Sequence, residues 1–456
     1  MNVNKEINRQ SYKTFFSFVF VITLVIVSML EIFRLTIINS HDVKFGYSFT
    51  EWIINYSGGF VRRGFSGYIF SFFDKDSMVP IVNTFVMLLY LANISLAILL
   101  AKKAFNSYLV SALVILAPAG FVQMAVLVDP DYCFARKEMI FYLFSSYCAL
   151  KTILNYRYKL TIDNIQHKQS QVYFFITVIF GFSAVAILIH EALIFFSFPF
   201  LIVIICLNGH IYELRHWGKI LFGYIVLVLV LTTFMASHHG TPEIAKGILD
   251  SLPAGLMQTR GFETTAIEYL AWTVDHQIST VVDDFKTRAI ILTTQAIPIL
   301  IIYICCFAIV CRKYVGMVRT NFDPILVGMT SLLFISVTTS PILFGIDWNR
   351  WISSTMFHSV ILVIILTVIR SEDVINSLVP ATWRNASAQL KSIQLINLGP
   401  SRNNFVVFAL ILVMIWIGIS FKVGFCCEQY IRYHGALSYL DAFFDIKSVM
   451  KVFLGI

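Results

Sequence analysis

Long apolar runs separated by short polar segments dominate the chain from its first residues to about residue 420. A membrane-crossing helix needs about 20 predominantly apolar residues. Runs of that kind fall at about 15–38, 79–101, 108–128, 139–156, 171–189, 192–207, 220–237, 289–311, 324–344, 351–370 and 404–421. The runs are continuous rather than alternating, which favours helices over a β-barrel. The pattern predicts an all-α polytopic membrane protein of about eleven spans, within a range of ten to twelve. It forms one integral membrane domain over residues 1–456.

Composition agrees with that pattern: 58% of the 456 residues are hydrophobic and only 13% are charged, against about 25% charged in soluble domains. Lys5, Arg9 and Lys13 precede the first run and mark an uncleaved anchor with a cytoplasmic N-terminus. The polar segments then alternate between two sides. Lys and Arg are only weakly biased to the inner side, whereas Asp and Glu gather on the outer side. An odd span count leaves residues 422–456 outside, and a twelfth span within them would reverse that. The outer segments include a first loop over 39–78 and a long one over 238–288. The second is too long for a plain connection, and its stretches 243–249 and 265–274 suit helices, so it reads as a folded cap. An inner loop covers 371–403. No glycine-rich loop ending in Lys-Ser/Thr is present, which argues against ATP-driven transport by this chain alone. No internal repeat is visible, as duplicated transporter folds would require. Eight scattered cysteines show no metal-ligand spacing.

The polar residues beside these runs carry the candidate chemistry, and four islands fall on the predicted outer side. The first is the 39–78 loop, with His41, Asp42, Lys44, Glu51 and the string NYSGGFVRRG at 55–64. Gly58 and Gly59 permit close backbone approach, and Arg62 and Arg63 suit phosphate oxygens. The competing reading is a pair of arginines snorkelling to lipid headgroups. Residues 49–73 read as an amphipathic or re-entrant element with Trp52, Tyr56, Phe60, Phe65 and Tyr68 at the interface. The second island is Asp129, Asp131, Arg136, Lys137 and Glu138; Arg136 and Lys137 are its candidate ligand-binding groups. The third is His190-Glu191 at a hairpin tip, a base with a carboxylate to orient it. The fourth is Asp347, Trp348, Asn349, Arg350 and Trp351, a sugar-stacking platform beside a guanidinium. In the long segment, Arg260, Glu263, His276, Asp283, Asp284 and Arg288 read as solvated surface that could collectively wall a cleft.

A polyprenyl-pyrophosphate-linked sugar needs apolar helices for its tail, cations for its phosphates and a base for the acceptor hydroxyl. The string TEWIINYSGGFVRRGFSG, with HEAL at 190–193 and DWNRW at 347–351, resembles polytopic proteins of bacterial surface-polysaccharide clusters, the O-antigen polymerases of the Wzy family. The likeness covers about the first 70 residues and two hairpin tips. It implies an architecture similar to C-type membrane glycosyltransferases in the bacterial inner membrane. It also implies metal-free transfer of glycan between undecaprenyl-pyrophosphate-linked units on the periplasmic face, with no cofactor. Outer arginines matching Arg62, Arg63 and Arg350 would hold substrate. The expected partners are that lipid-linked glycan, the bilayer and a chain-length regulator protein, with no nucleic acid. His190 as base is an inference from its chemistry alone. Two alternatives remain open: a glycosyltransferase using a polyprenyl-phosphate-sugar with Asp42 as base or metal ligand, and a flippase or transporter of lipid-linked sugars.

Overall fold

The computed structural model describes residues 15–30, 32–33, 36, 47–74, 77–117, 136–159, 165–191, 197–252, 266–272, 279, 290–314, 348–369, 400–422 and 432–433. The described chain is almost entirely helical. Helix α1 (Phe15–Leu30) precedes two seven-residue helices, α2 (Tyr47–Ile53) and α3 (Gly64–Phe70). The bundle continues with α4 (Met78–Phe105), α5 (Tyr108–Ile115), α6 (Glu138–Lys159) and α7 (Ile165–Ile189). Helices α8 (Phe198–Ile211) and α9 (Trp217–Ser237) follow, then the short α10 (Pro242–Ser251) and α11 (Ala266–Tyr269). The last three are α12 (Ile290–Tyr314), α13 (Trp348–Val368) and α14 (Pro400–Ser420). One antiparallel pair, Phe421↔Tyr433 and Lys422↔Arg432, is the only strand pairing among the described residues.

Three helices, Met78–Phe105, Gln169–Ile189 and Trp217–Ser237, are long and apolar enough to cross a membrane. Five shorter apolar helical stretches coincide with other expected spans. The run at 139–156 does form a helix, but α6 is less apolar than the three. Its Ser145, Ser146, Thr152 and Asn155 are all buried, and several bond to neighbouring helices. Asn208 Nδ2 donates to Thr152 Oγ1 at 2.9 Å, the Tyr212 hydroxyl donates to the Asn155 carbonyl, and Asn93 Nδ2 on α4 donates to the Met139 carbonyl at 2.9 Å. Such polar pairs join helices where the hydrophobic effect between them is weak. The expected span at 324–344 and the loop at 371–403 lie outside the described residues.

The bundle has two distinct ends. At one, Arg157 near the end of α6 donates to Ala104 near the end of α4 (2.9 Å), and Gln169 near the start of α7 donates to Tyr212 just after α8 (3.2 Å). At the other, the start of α6, the end of α7, the start of α3 and the end of α9 meet. Lys137 Nζ donates to the carbonyls of Arg63 (3.4 Å) and Ile189 (3.1 Å), and the Arg62 amide donates to the His238 carbonyl (2.9 Å). Because Asn93, midway along α4, bonds the first turn of α6, α4 continues roughly four turns past that level. This end of the bundle is therefore recessed beside α4.

The first polar loop folds as two short helices, α2 and α3, around a glycine-rich turn. Trp52, expected at the interface, is instead buried, with its ring edge-on to Phe70 and Phe85. Among the described residues of this loop, Phe60, Tyr68, Phe72 and Phe73 are the exposed aromatics. The long segment supplies the expected helices. Thr241 caps α10 by accepting from the Ile244 amide (3.3 Å), with Pro242 in its first turn. Helices α10 and α11 lie on the first loop: Asn55 Nδ2 donates to Ser251 Oγ of α10 (3.0 Å), and the Ala266 amide of α11 donates to Thr50 Oγ1 (3.0 Å).

Candidate functional site

The recessed end of the bundle holds a buried ionic cluster assembled from three of the four predicted islands. Arg63 is its centre. Its Nε donates to both Glu191 oxygens (2.9 and 3.0 Å) and its Nη2 to Glu191 Oε1 (2.7 Å). Its Nη1 donates to Glu51 Oε1 (3.1 Å). The guanidinium fork is thus engaged by two carboxylates from opposite sides. Arg62 Nη1 lies 3.5 Å from Glu191, and Arg136 Nη1 lies 3.9 Å from Glu51. His190 sits between the two acids, with Nε2 3.5 Å from Glu51 and Nδ1 3.8 Å from Glu191.

Local structure explains how these groups reach one another. Helix α7 ends at Ile189, and the His190 amide still bonds the Ala186 carbonyl (2.7 Å), so His190 and Glu191 emerge from a helix end. Arg63 adopts a left-handed backbone (φ 65°), uncommon for a residue with a Cβ. That conformation turns the chain into α3 while aiming the side chain at Glu191, a strain sustained by the ion pairs. Glu51 comes from α2 and is completely buried. Sequence reasoning named it within the first island but gave it no role, although a carboxylate inside the apolar string FTEWII was its signal.

Burial governs the protonation states. It opposes ionisation of Glu191, but Arg63, then Arg62 and His190, hold that carboxyl well below the usual carboxylate range. Burial pushes Lys137 down to about 7; Glu51 and Glu191 oppose that shift and Arg63 reinforces it. Burial and Arg63 also lower His190, against the pull of Glu51 and Glu191, leaving the imidazole neutral near pH 7. Arg136, Lys137 and Glu138 are fully buried, whereas the Arg62 and Arg63 side chains retain 17% exposure. The Arg62–Arg63 edge is therefore the more accessible side of this basic group.

The two candidate glycines have packing partners within the chain. A Cβ on Gly58 would stand 2.3 Å from the Ile244 carbonyl oxygen, and one on Gly247 would stand 2.7 Å from Gly58 Cα. Gly58 is thus where α10 docks. Gly59, at φ 126°, supplies a turn conformation that glycine adopts freely. Asp42, Asp347 and the six polar residues named in the long segment lie outside the described residues. Trp348, Arg350 and Trp351 occupy the first turn of α13.

A second polar centre, not foreseen from sequence, lies deeper in the bundle around His358. Its Nδ1 is 2.7 Å from the Ser354 carbonyl, which can only accept, so Nδ1 carries the proton. Nε2 then accepts from Ser145 Oγ at 2.9 Å, with Ser197 Oγ at 3.4 Å. This junction ties α6, α8 and α13 together and places the start of α13 at the cluster end. One histidine in an apolar helix, HSVILVIIL, gives little warning of such a network.

No family model matches the chain, and no curated protein or solved structure matches it either.

Proposed function

We propose that this protein joins polyprenyl-pyrophosphate-linked oligosaccharide units into a surface polysaccharide of the O-antigen type. It would do so as an eleven-span protein of the bacterial inner membrane, with the ionic cluster facing the periplasm. The observation that carries the reading is the convergence of Arg62, Arg63, Arg136, Lys137, His190 and Glu191, drawn from three distant segments, at one recessed end of an apolar bundle. Keeping four basic side chains beside a membrane, with Arg136 and Lys137 fully buried, is costly. A substrate whose leaving group is a lipid pyrophosphate gives that cost a purpose.

Arg62, partly exposed and 3.5 Å from Glu191, is assigned to the donor pyrophosphate. Arg63, engaged by Glu191 and Glu51, positions Arg62 and the loop. In the transfer, an acceptor sugar hydroxyl attacks the anomeric carbon of the donor glycan. The bond from that carbon to the pyrophosphate oxygen breaks, and the pyrophosphate departs with the electron pair. The hydroxyl proton passes to His190, neutral near pH 7, and Glu51 stabilises the resulting imidazolium. Arg350, with Trp348 and Trp351, is assigned to the acceptor sugar.

The test is a gel of surface glycan from a strain lacking the protein and complemented with variants. Arg62→Ala is expected to leave single lipid-linked units at the surface and no long chains. Normal long-chain ladders from a well-expressed Arg62→Ala protein would refute the site assignment. Complete absence of surface units in the deletion strain would instead support a flippase or an earlier enzyme.

A further inference from the structure

The cluster borders an exposed aromatic surface to which the function above gives no role. Along α9, Phe222, Val226, Leu229, Val230 and Phe234 are all exposed at helical spacing, so one face of this helix, long and apolar enough to cross a membrane, is apolar and exposed. The face does not stop at the helix end. Phe234 lies 5.9 Å from Phe60 and 4.4 Å from His238, and Phe60 meets His238 edge-on at 5.1 Å. Phe60 in turn stacks on Tyr56 at 5.2 Å, and Tyr56 touches Tyr68 at 5.7 Å. Phe60, Tyr68 and Phe234 are each more than 40% exposed. The lipid-facing surface of α9 thus runs without a break onto the loop that carries Arg62.

Two further contacts fix this shelf relative to the cations. The Arg62 amide donates to the His238 carbonyl (2.9 Å), so Arg62 is anchored to the residue both phenylalanines touch. Behind the shelf, α10 clamps the turn at Gly58. The rings are therefore presented on a braced loop. Aromatic residues at a membrane interface are ordinary. Here the apolar track runs onto the loop whose Arg62 is partly exposed, with its guanidinium 3.5 Å from Glu191, a pairing of apolar surface and cation complementary to a chain ending in phosphate.

We propose that the Tyr56–Phe60–Phe234 shelf seats the isoprenoid units nearest the phosphate of a polyprenyl phosphate or pyrophosphate, with Arg62 on its headgroup. This rests on the reading above for the identity of the lipid, and it adds where the tail lies and the side from which the substrate enters. The test uses the full chain in phosphatidylcholine nanodiscs with a benzophenone-bearing farnesyl diphosphate and the corresponding uncharged farnesol probe. The diphosphate should label peptides containing Phe60 or Phe234, and unlabelled farnesyl diphosphate should compete. Arg62→Gln, or Phe60→Ala with Phe234→Ala, should lower that labelling about fivefold or more, the loss of an aromatic contact or a charge-assisted bond. Phe60→Leu, which keeps the apolar volume, should lower it less and guards against misfolding. Equal labelling by farnesol, or diphosphate labelling unchanged in Arg62→Gln, would reduce the shelf to ordinary bilayer contact and overturn the proposal. Shelf labelling together with normal glycan ladders in Arg62→Ala would retain the lipid site and refute the assignment of Arg62 to glycan transfer. Lost ladders without shelf labelling would do the reverse.

Discussion

Arg63 shows how a residue chosen for ligand chemistry can be committed to the fold. It was conspicuous in the sequence because two adjacent arginines are rare beside apolar runs. The sequence could not reveal that its fork would be taken by Glu191, 128 positions away, and by Glu51. Removing one partner of a mostly buried pair leaves a charge uncompensated, so Glu191→Gln should destabilise the protein by about 3 kcal/mol, read as a lowered denaturation midpoint in detergent. The pH dependence of this pair has a fixed sign. Glu191 is depressed below its usual 4.5, so its stabilisation is present above that value and is lost as acid protonates it. Lys137 acts oppositely. Between about 7 and its usual 10.5, the unfolded chain holds a proton that the folded chain has released, so stability rises with pH across that window. Thermal midpoints at pH 6.5 and 9 should show that rise in the native protein and a smaller one in Lys137→Met. An equal rise in both would mean that Lys137 keeps its proton in the fold.

Among the elements, the helices were legible because apolar runs of spanning length leave few alternatives in a membrane. Helix α10 was legible too, from the helix-compatible stretch 243–249. What escaped the sequence was packing between elements. The Gly-Gly turn reads equally well as a ligand cradle or as a close helix contact, and no local signal separates them. The contact with α10 gives Gly58 a definite packing reason. Trp52 likewise reads as interfacial until Phe70 and Phe85 are seen to enclose it. Gly58→Ala sets a methyl group against backbone at Ile244, which cannot yield as a flexible side chain could. Overpacking of this kind costs about 1–3 kcal/mol and should loosen α10 from the first loop. Limited trypsin digestion should then cut after Lys246, exposed but within a helix, several times faster than in the native protein. Unchanged cleavage would show that the turn absorbs the methyl group.

Across the whole molecule, the decisive feature is that polar groups far apart in sequence share one end of the bundle while another polar set marks the opposite end. Alternation of spans made this expectation possible, since it placed residues 55–64, 136–138 and 190–191 on one side before any contact was known. It could not show that they touch, because side-chain register between helices depends on packing that no single segment encodes. Arg157 bonding Ala104, and Tyr212 bonding Asn155, define the far end. If both ends face water across a bilayer, an impermeant thiol reagent added to one side should separate them. Ser57 and Glu243 are exposed at the cluster end, and Asn106 and Glu213 at the far end. In a cysteine-free background, single cysteines at 57 and 243 should be labelled from one side only, and those at 106 and 213 only after the other side is opened. For a polymerase working on exported units, the first pair must be the periplasmic one. Labelling of Ser57→Cys only after permeabilisation of the inner membrane would put the arginine cluster on the cytoplasmic face and remove the basis for periplasmic transfer.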